Sequence, residues 1–219
     1  FELPDAPIVN GETLGSITDA ALSDDGTIYS VYVSWAEWKI GVPAKINLLR
    51  FRSVDPVVLE TLPLPTASLH LVFPRRSTQR NSAWFPDSGP GLIIDASPTS
   101  PHRGRLYVVW SQEQQVINDP NFDCGFDDPD LPCHAYGANY DLFVTYSDDR
   151  GQTWSSPARV NDDSGSADQF YPSARVDANG VLHLAFIDRR NHPDEEVVDV
   201  FYAYSKDGVQ FSKNHQITN

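Results

Sequence analysis

Three groups of side chains carry most of the chemistry this sequence offers. Asp188-Arg189-Arg190 directly follows the apolar run Val181 to Ile187. An acid beside paired guanidinium groups at a strand end suits bidentate binding of a carboxylate or sulfate. The same three residues equally suit an ion pair between neighbouring elements, and they are the sequence's candidates for catalysis. Arg75, Arg76 and Arg80, with His70 nearby, form the basic concentration of the chain. They read either as an anion site, joined by Arg189 and Arg190, or as a surface loop that offsets an acidic background. The third group is the acidic stretch Asn118, Asp119, Asp123, Asp127, Asp128 and Asp130. Carboxylates this close repel one another unless they are solvated or neutralised. A hard cation with oxygen ligands, calcium above all, would neutralise them, with Asp123, Asp127, Asp128 and Asp130 as its ligands. The spacing is not that of an EF-hand.

Other chemistries leave no trace. The histidines (His70, His102, His134, His183, His192, His215) show no metal-ligand spacing, and His183 alternates within a strand as a packed residue would. There is no nucleophile elbow, phosphate loop or dinucleotide fingerprint. Cys124 and Cys133 flank the loop-like Gly125 to Pro132, so a disulfide is sterically open to them. Such a bridge would contribute about 2–3 kcal/mol through loop closure and would place the protein outside the cytosol: secreted, on the cell surface or in the periplasm. The alternative is two free thiols.

Sixteen Lys and Arg stand against thirty Asp and Glu, a net charge of −14. That balance argues against nucleic acid as a partner, because phosphate backbones are bound by positive faces. No apolar run is long enough to span a membrane as a helix. Hydrophobic residues make up 40% of the 219, which is ordinary for a globular chain and not for a disordered one. The chain opens Phe1-Glu2-Leu3-Pro4 and holds no Met, which reads as a processed or excised segment.

These residues must be positioned by strands. Tyr29 to Trp35, Ile46 to Arg52, Arg105 to Trp110, Leu142 to Tyr146, Val181 to Phe186 and Val198 to Tyr204 alternate with period two. They are rich in Val, Tyr, Phe and Trp and are divided by Gly, Pro, Asn and Asp, which predicts an all-β fold. The strands repeat as a set. Trp84-Phe85-Pro86, an apolar strand, Asp95, a turn at Gly104 and the strand Arg105 to Trp110 match Phe170-Tyr171-Pro172, Asp177, Gly180 and Val181 to Phe186. Ile17 to Trp35 is a fainter copy. Each copy continues into a strand ending in Ser-x-Asp: Ser53-Val54-Asp55, Ser147-Asp148-Asp149 and Ser205-Lys206-Asp207. The units run roughly 14–65, 84–161 and 170–219, with insertions at 66–83 and 111–138. Each holds four strand candidates, the content of one propeller blade.

Ser147-Asp148-Asp149-Arg150-Gly151-Gln152-Thr153-Trp154 reads S-x-D-x-G-x-T-W at every fixed position. This resembles the Asp box, or BNR repeat, of the sialidase superfamily of β-propellers. Ser205, Asp207 and Phe211 look like a degenerate copy one residue shorter. The expected role of Ser147, Asp149, Gly151, Thr153 and Trp154 is structural, a tight turn joining the third and fourth strands of a blade. The alternative is that Asp149 is catalytic. The resemblance implies one propeller segment over 1–219, with about three blades of four antiparallel strands.

In that family the turn lies opposite the ligand site. Segments 36–43, 66–83, 111–138, 162–169 and 188–197 would therefore open on the ligand side. Three blades do not close a ring, so the others must come from the same protein, another copy or another subunit. Hydrolysing sialidases use an arginine triad, often opening in R-I-P, with a Tyr–Glu pair and an Asp. No R-I-P occurs here, since Phe73-Pro74-Arg75-Arg76 departs from it, and no Tyr–Glu pair can be assigned. The resemblance thus implies glycan or extracellular-protein recognition, or scaffolding, without a complete catalytic set. The alternative it leaves is part of a sialidase-like glycoside hydrolase.

Overall fold

The computed structural model describes residues 8–9, 12–35, 43–52, 59–64, 69–70, 73–74, 90–120, 135–192 and 197–218. Among them there is no helix. In chain order the strands are β1 (Ile8–Val9), β2 (Glu12–Leu22), β3 (Thr27–Trp35), β4 (Pro43–Arg52), β5 (Leu59–Pro63), β6 (Leu69–His70) and β7 (Phe73–Pro74). They continue as β8 (Gly91–Ile94), β9 (Leu106–Asn118), β10 (Ala135–Ser147), β11 (Ala158–Arg159), β12 (Gln169–Val176), β13 (Leu182–Asp188), β14 (Asp199–Ser205) and β15 (His215–Gln216).

Three sheets result. The first runs β1-β2-β3-β4-β5 with β6 beside β4, the second β8-β9-β10-β11 with β7 beside β10, and the third β12-β13-β14-β15. Each contains a four-stranded antiparallel meander, β2–β5, β8–β11 and β12–β15. The architecture is the all-β one expected, a partial β-propeller of three blades.

Consecutive sheets pack face to face. One apolar cluster joins Tyr29, Val31, Ile46 and Leu48 of the first sheet to Leu92, Leu106, Val108 and Trp110 of the second. Another joins Ile93, Tyr107, Val109, Leu142 and Val144 of the second to Leu182, Leu184, Phe186 and Phe201 of the third. Neighbouring positions on β9 face opposite sheets, so Leu106 to Glu113 is buried without a break. The leading strands also touch: Asp19 on β2 accepts the Leu92 N–H of β8 at 3.0 Å. That satisfies a donor on an edge strand.

Two Asp-box turns are described. Ser147 Oγ donates to Asp149 Oδ1 and accepts the Gly151 N–H, both at 2.8 Å. Asp149 Oδ1 also accepts the Thr153 N–H at 2.8 Å, and Trp154 Nε1 donates to the Gly151 carbonyl at 3.1 Å. In the third sheet, Ser205 Oγ donates to Asp207 Oδ1 and accepts the Gly208 N–H, while Asp207 Oδ1 takes the N–H groups of Val209 and Gln210. These bonds close the turns locally, the structural role expected. The Thr153 hydroxyl and N–H hold the Asp149 carboxyl well below its ordinary value, at about 2. Ser53-Val54-Asp55 lies outside the described residues.

These turns share one end of the stack with the turns joining each blade's first and second strands. There the sheets are stitched together. Arg105 is paired through Nε and Nη2 with Asp148 at 2.7 and 2.9 Å and donates from Nη1 to the Asp207 carbonyl at 2.8 Å. Its guanidinium sits 3.9 Å from the Tyr146 ring centroid. Thr99 Oγ1 donates to the Ala178 carbonyl at 2.8 Å.

Within the segment 111–138, read from the sequence as an insertion, β9 continues to Asn118 and β10 begins at Ala135. Ser111 pairs with Leu142, Gln112 with Asp141 and Glu113 with Tyr140. Polar residues ended the visible alternation but not the ladder, because backbone pairing does not depend on which side chains flank it.

Two predictions follow from the turns. Gly26 and Gly208 both have φ +79°, but a Cβ on Gly26 would meet nothing within 4 Å, whereas one on Gly208 would lie 2.7 Å from Tyr107 Cε1. Gly26→Ala is expected to cost about 1–2 kcal/mol, from the left-handed backbone alone. At Gly208→Ala overpacking adds about 1–3 kcal/mol more, because Tyr107 is fully buried. Equal losses on chemical denaturation would contradict this packing. Asp149 titrates lower in the folded chain than its ordinary 3.8, so its stabilisation is present above that value and fades as pH falls toward about 2. Asp149→Asn should flatten the acid limb of a stability–pH profile across that window.

Candidate functional site

The opposite end of the stack gathers the ends of β9 and β13, the starts of β10, β12 and β14, and the linker 160–168 between the second and third sheets. Polar side chains are buried here. Ser111, Gln112, Glu113, Asp141, Asn161, Gln169 and Asp188 are all at or below 6% exposed. Buried polar groups must find partners, and their bonding shows what each can still do.

Asp188 ends β13 opposite Gln169 on β12. Its Oδ1 accepts the Arg190 N–H at 2.7 Å and Gln169 Nε2 at 3.3 Å, and its Oδ2 accepts Arg190 Nε at 2.8 Å. Arg190 reaches on to Asp162 Oδ1 at 2.6 Å and Asn214 Oδ1 at 2.9 Å, and lies 4.3 Å from the Phe201 ring centroid. Burial pushes the Asp162 carboxyl up. The Asn214 N–H and the Arg190 guanidinium outweigh it and hold that carboxyl below its ordinary value. Burial likewise works against the Arg190 charge, and Asp188 and Asp162 outweigh it. Asp188 and Arg190 thus hold one another and tie the linker to the third sheet.

A second group lies beside them. Asn161 Nδ2 is 2.7 Å from Asp141 Oδ1, 2.7 Å from Asp163 Oδ1 and 2.6 Å from Gln169 Oε1, and its Oδ1 accepts the Leu142 N–H at 2.9 Å. Arg159 Nη2 approaches Asp141 at 2.6 Å and Asp163 at 3.2 Å. Ser111 Oγ donates to the Gln169 carbonyl at 2.8 Å. The oxygens Asp141 Oδ1 and Asp163 Oδ1 are thus engaged by the Asn161 amide and the Arg159 guanidinium.

Arg189 differs from its neighbour. Its main-chain N–H donates to the Asp168 carbonyl at 3.1 Å, and its guanidinium rests 5.3 Å from the Phe170 ring centroid. The side chain forms no hydrogen bond among the described residues, and its Nε is buried. Every other arginine with a described side chain is engaged. Arg103, Arg105, Arg150, Arg159 and Arg190 hold carboxylates, and Arg50 and Arg175 hold main-chain carbonyls.

Of the residues singled out from the sequence, the structure brings Asp188, Arg189 and Arg190 to this end and Ser147, Asp149, Gly151, Thr153, Trp154, Ser205, Asp207 and Phe211 to the other. Arg75, Arg76, Arg80, Asp123, Asp127, Asp128, Asp130, Cys124 and Cys133 lie outside the described residues. Among the described residues no group of three or more His, Cys, Asp or Glu could hold a metal ion. His183 is a packed strand residue, with Nδ1 2.6 Å from the Tyr202 hydroxyl. The sequence reading missed Glu113, Asp141, Asn161, Asp163 and Gln169. The run Asn161-Asp162-Asp163 in a short linker was the available signal.

Comparison with known proteins agrees with this architecture. The family model described as BNR repeat-containing family member matches residues 132–218. No curated protein matches the sequence. An α-L-arabinofuranosidase of Fusarium graminearum, solved with an iminosugar inhibitor, superposes with a TM-score of 0.56 at 13% identity, over 91% of this chain and 47% of its own. The GH93 α-L-arabinofuranosidase of the same organism with arabinobiose gives 0.57 at 12% identity, over 98% and 52%. The chain spans about half the length of these structures. At such identities the likeness is one of fold.

Removing one partner of a buried ion pair leaves the other charge stranded, at a cost of about 3–5 kcal/mol. Arg190→Leu should therefore lower unfolding free energy by roughly that amount, because Asp188 is wholly buried. Arg189→Leu should change it by about 0.5 kcal/mol or less, as for a substitution that breaks no network. Similar losses in the two variants would contradict the division of roles described above.

Proposed function

We propose that this chain, which carries the Asp-box repeats and stacked sheets of the sialidase-like β-propellers, supplies half of a glycan-recognising propeller and binds carbohydrate at the end opposite its Asp-box turns. The observation that carries this reading is the wall of buried amides, hydroxyls and carboxylates from Ser111 to Glu113 and at Asp141, Asn161, Gln169 and Asp188. Fixed polar groups at the open end of a β stack are what orient a polyhydroxylated ligand. Recognition is favoured over catalysis because Asp141, Asp162, Asp163 and Asp188 are held by Arg159, Arg190 and amide donors. Further blades from the same protein or a partner copy complete the ring in this reading. Secretion, a Cys124–Cys133 bridge and calcium on Asp123, Asp127, Asp128 and Asp130 accompany it.

Hydrolysis is the second reading. Glycosidases among the similar folds favour it, as does Glu113, 3% exposed on β9 opposite Tyr140. The two are separated on the full-length protein with arabinobiose, lactose, 3′-sialyllactose and digalacturonate as binding probes. Fluorogenic arabinofuranoside and sialoside serve as substrates. Saturable binding of at least one probe without turnover is expected. Turnover that disappears in Glu113→Gln would overturn recognition in favour of hydrolysis. No binding and no turnover would reject both.

A further inference from the structure

Arg189 has a companion in Asn139. The Oδ1 of Asn139 is buried and accepts no hydrogen bond. Asp168 lies between the two residues. Its carbonyl accepts the Arg189 N–H, and its Oδ1 accepts the N–H of Tyr140, next to Asn139, at 3.1 Å. A buried donor and a buried acceptor, both unused, thus flank one aspartate. Leaving either without a partner is costly, and a native fold keeps such groups where something else completes them.

The backbone marks the same place. Asn139 and Tyr171 are two of the three described non-glycine residues in the left-handed region, at φ 56° and 54°, the third being Arg150 of the Asp-box turn. Strain of this kind persists where the surroundings impose it, and it concentrates at ligand-binding positions. At Tyr171 the ladder between β12 and β13 shifts register between Phe170 and Ser173. The Tyr171 ring stands 5.4 Å from that of Phe170, which carries the Arg189 guanidinium, and the residue is 44% exposed.

The mixture of groups selects a ligand class. A carboxylate or sulfate offers acceptors only. It would leave Asn139 Oδ1 unsatisfied and would lie near the Asp168 carboxylate. A hydroxyl both accepts and donates. Two adjacent hydroxyls can take N–H bonds from Arg189 and return an O–H bond to Asn139, while the C–H face of the ring rests on exposed Tyr171. We infer that Arg189, Asn139 and Tyr171 form a saccharide subsite that takes neutral vicinal hydroxyls in preference to an acidic group. This rests on the preceding reading that this end binds glycans.

Calorimetric titration of the full-length protein tests it, with arabinobiose and lactose as neutral probes and digalacturonate and 3′-sialyllactose as their acidic counterparts. A neutral probe should bind tighter than its acidic counterpart. Arg189→Ala and Asn139→Gly, the latter keeping a residue that accepts the left-handed backbone, should each weaken it at least tenfold with an unchanged melting temperature. Arg189→Lys, which keeps the charge and loses the planar fork, should lose most of the affinity as well. Tighter binding of the acidic probes would overturn the ligand class. Neutral binding unchanged in Arg189→Ala and Asn139→Gly would overturn the subsite and leave glycan recognition standing. A wild-type protein that binds none of the four would overturn the recognition reading, and the subsite with it.

Discussion

Each four-stranded sheet in this protein has two faces, and only a neighbouring sheet can cover them. That constraint orders the rest of the structure. The middle sheet is covered on both sides, so the first half of β9 is buried without alternation. The third sheet is covered on one side, and β13 alternates strictly between buried and half-exposed positions. Its second face presents His183, Ala185, Ile187, Val200, Tyr202 and Tyr204, and no described residue packs a further sheet against it. The chain spans about half the length of the similar structures. A stack of such sheets stops exposing apolar faces only when it closes on itself.

Stacking meanders also separates the two ends of the molecule. In an antiparallel meander the first and third connections fall at one end and the second at the other. Among the described residues the first and third are locally closed by Ser, Asp and Gly, and Arg105 binds one sheet's turn to the next. That end is built for rigidity. The other end receives the linker between sheets, whose direction is not set by strand pairing. Amide and carboxylate side chains replace backbone ladders there as the means of joining sheets. Among the buried carboxylates at this end, Asp141 is paired with Arg159 and Asp188 with Arg190.

Strands and Asp-box turns were legible in the sequence because their causes are short in range. Period-two alternation from Tyr29 to Trp35 or Val181 to Phe186 reflects one covered face. Ser147, Asp149, Gly151, Thr153 and Trp154 bond among themselves within one turn. The continuation of β9 through Ser111, Gln112 and Glu113 was not legible, since nothing in those residue types signals the pairing with Tyr140 to Leu142. The buried network was equally hidden. Gln169 and Asp188 look like ordinary surface residues until β12 and β13 are set side by side.

The amino-acid sequence alone determined the all-β class, the repeated unit and the chemistry of its turns, all of which arise from residues a few positions apart. Tertiary structure alone decided the roles of Arg189 and Arg190, adjacent and identical in type. Arg190 meets Asn214, 24 residues away in the connection of its own sheet, and Asp162, 28 residues away in the linker from the second sheet, only because the fold brings them together. Arg189 projects from the same strand end onto Phe170 and meets no carboxylate. Whether a guanidinium is a clamp or an open donor depends on which partners lie within about 3 Å, and those partners are supplied by the packing of separate sheets.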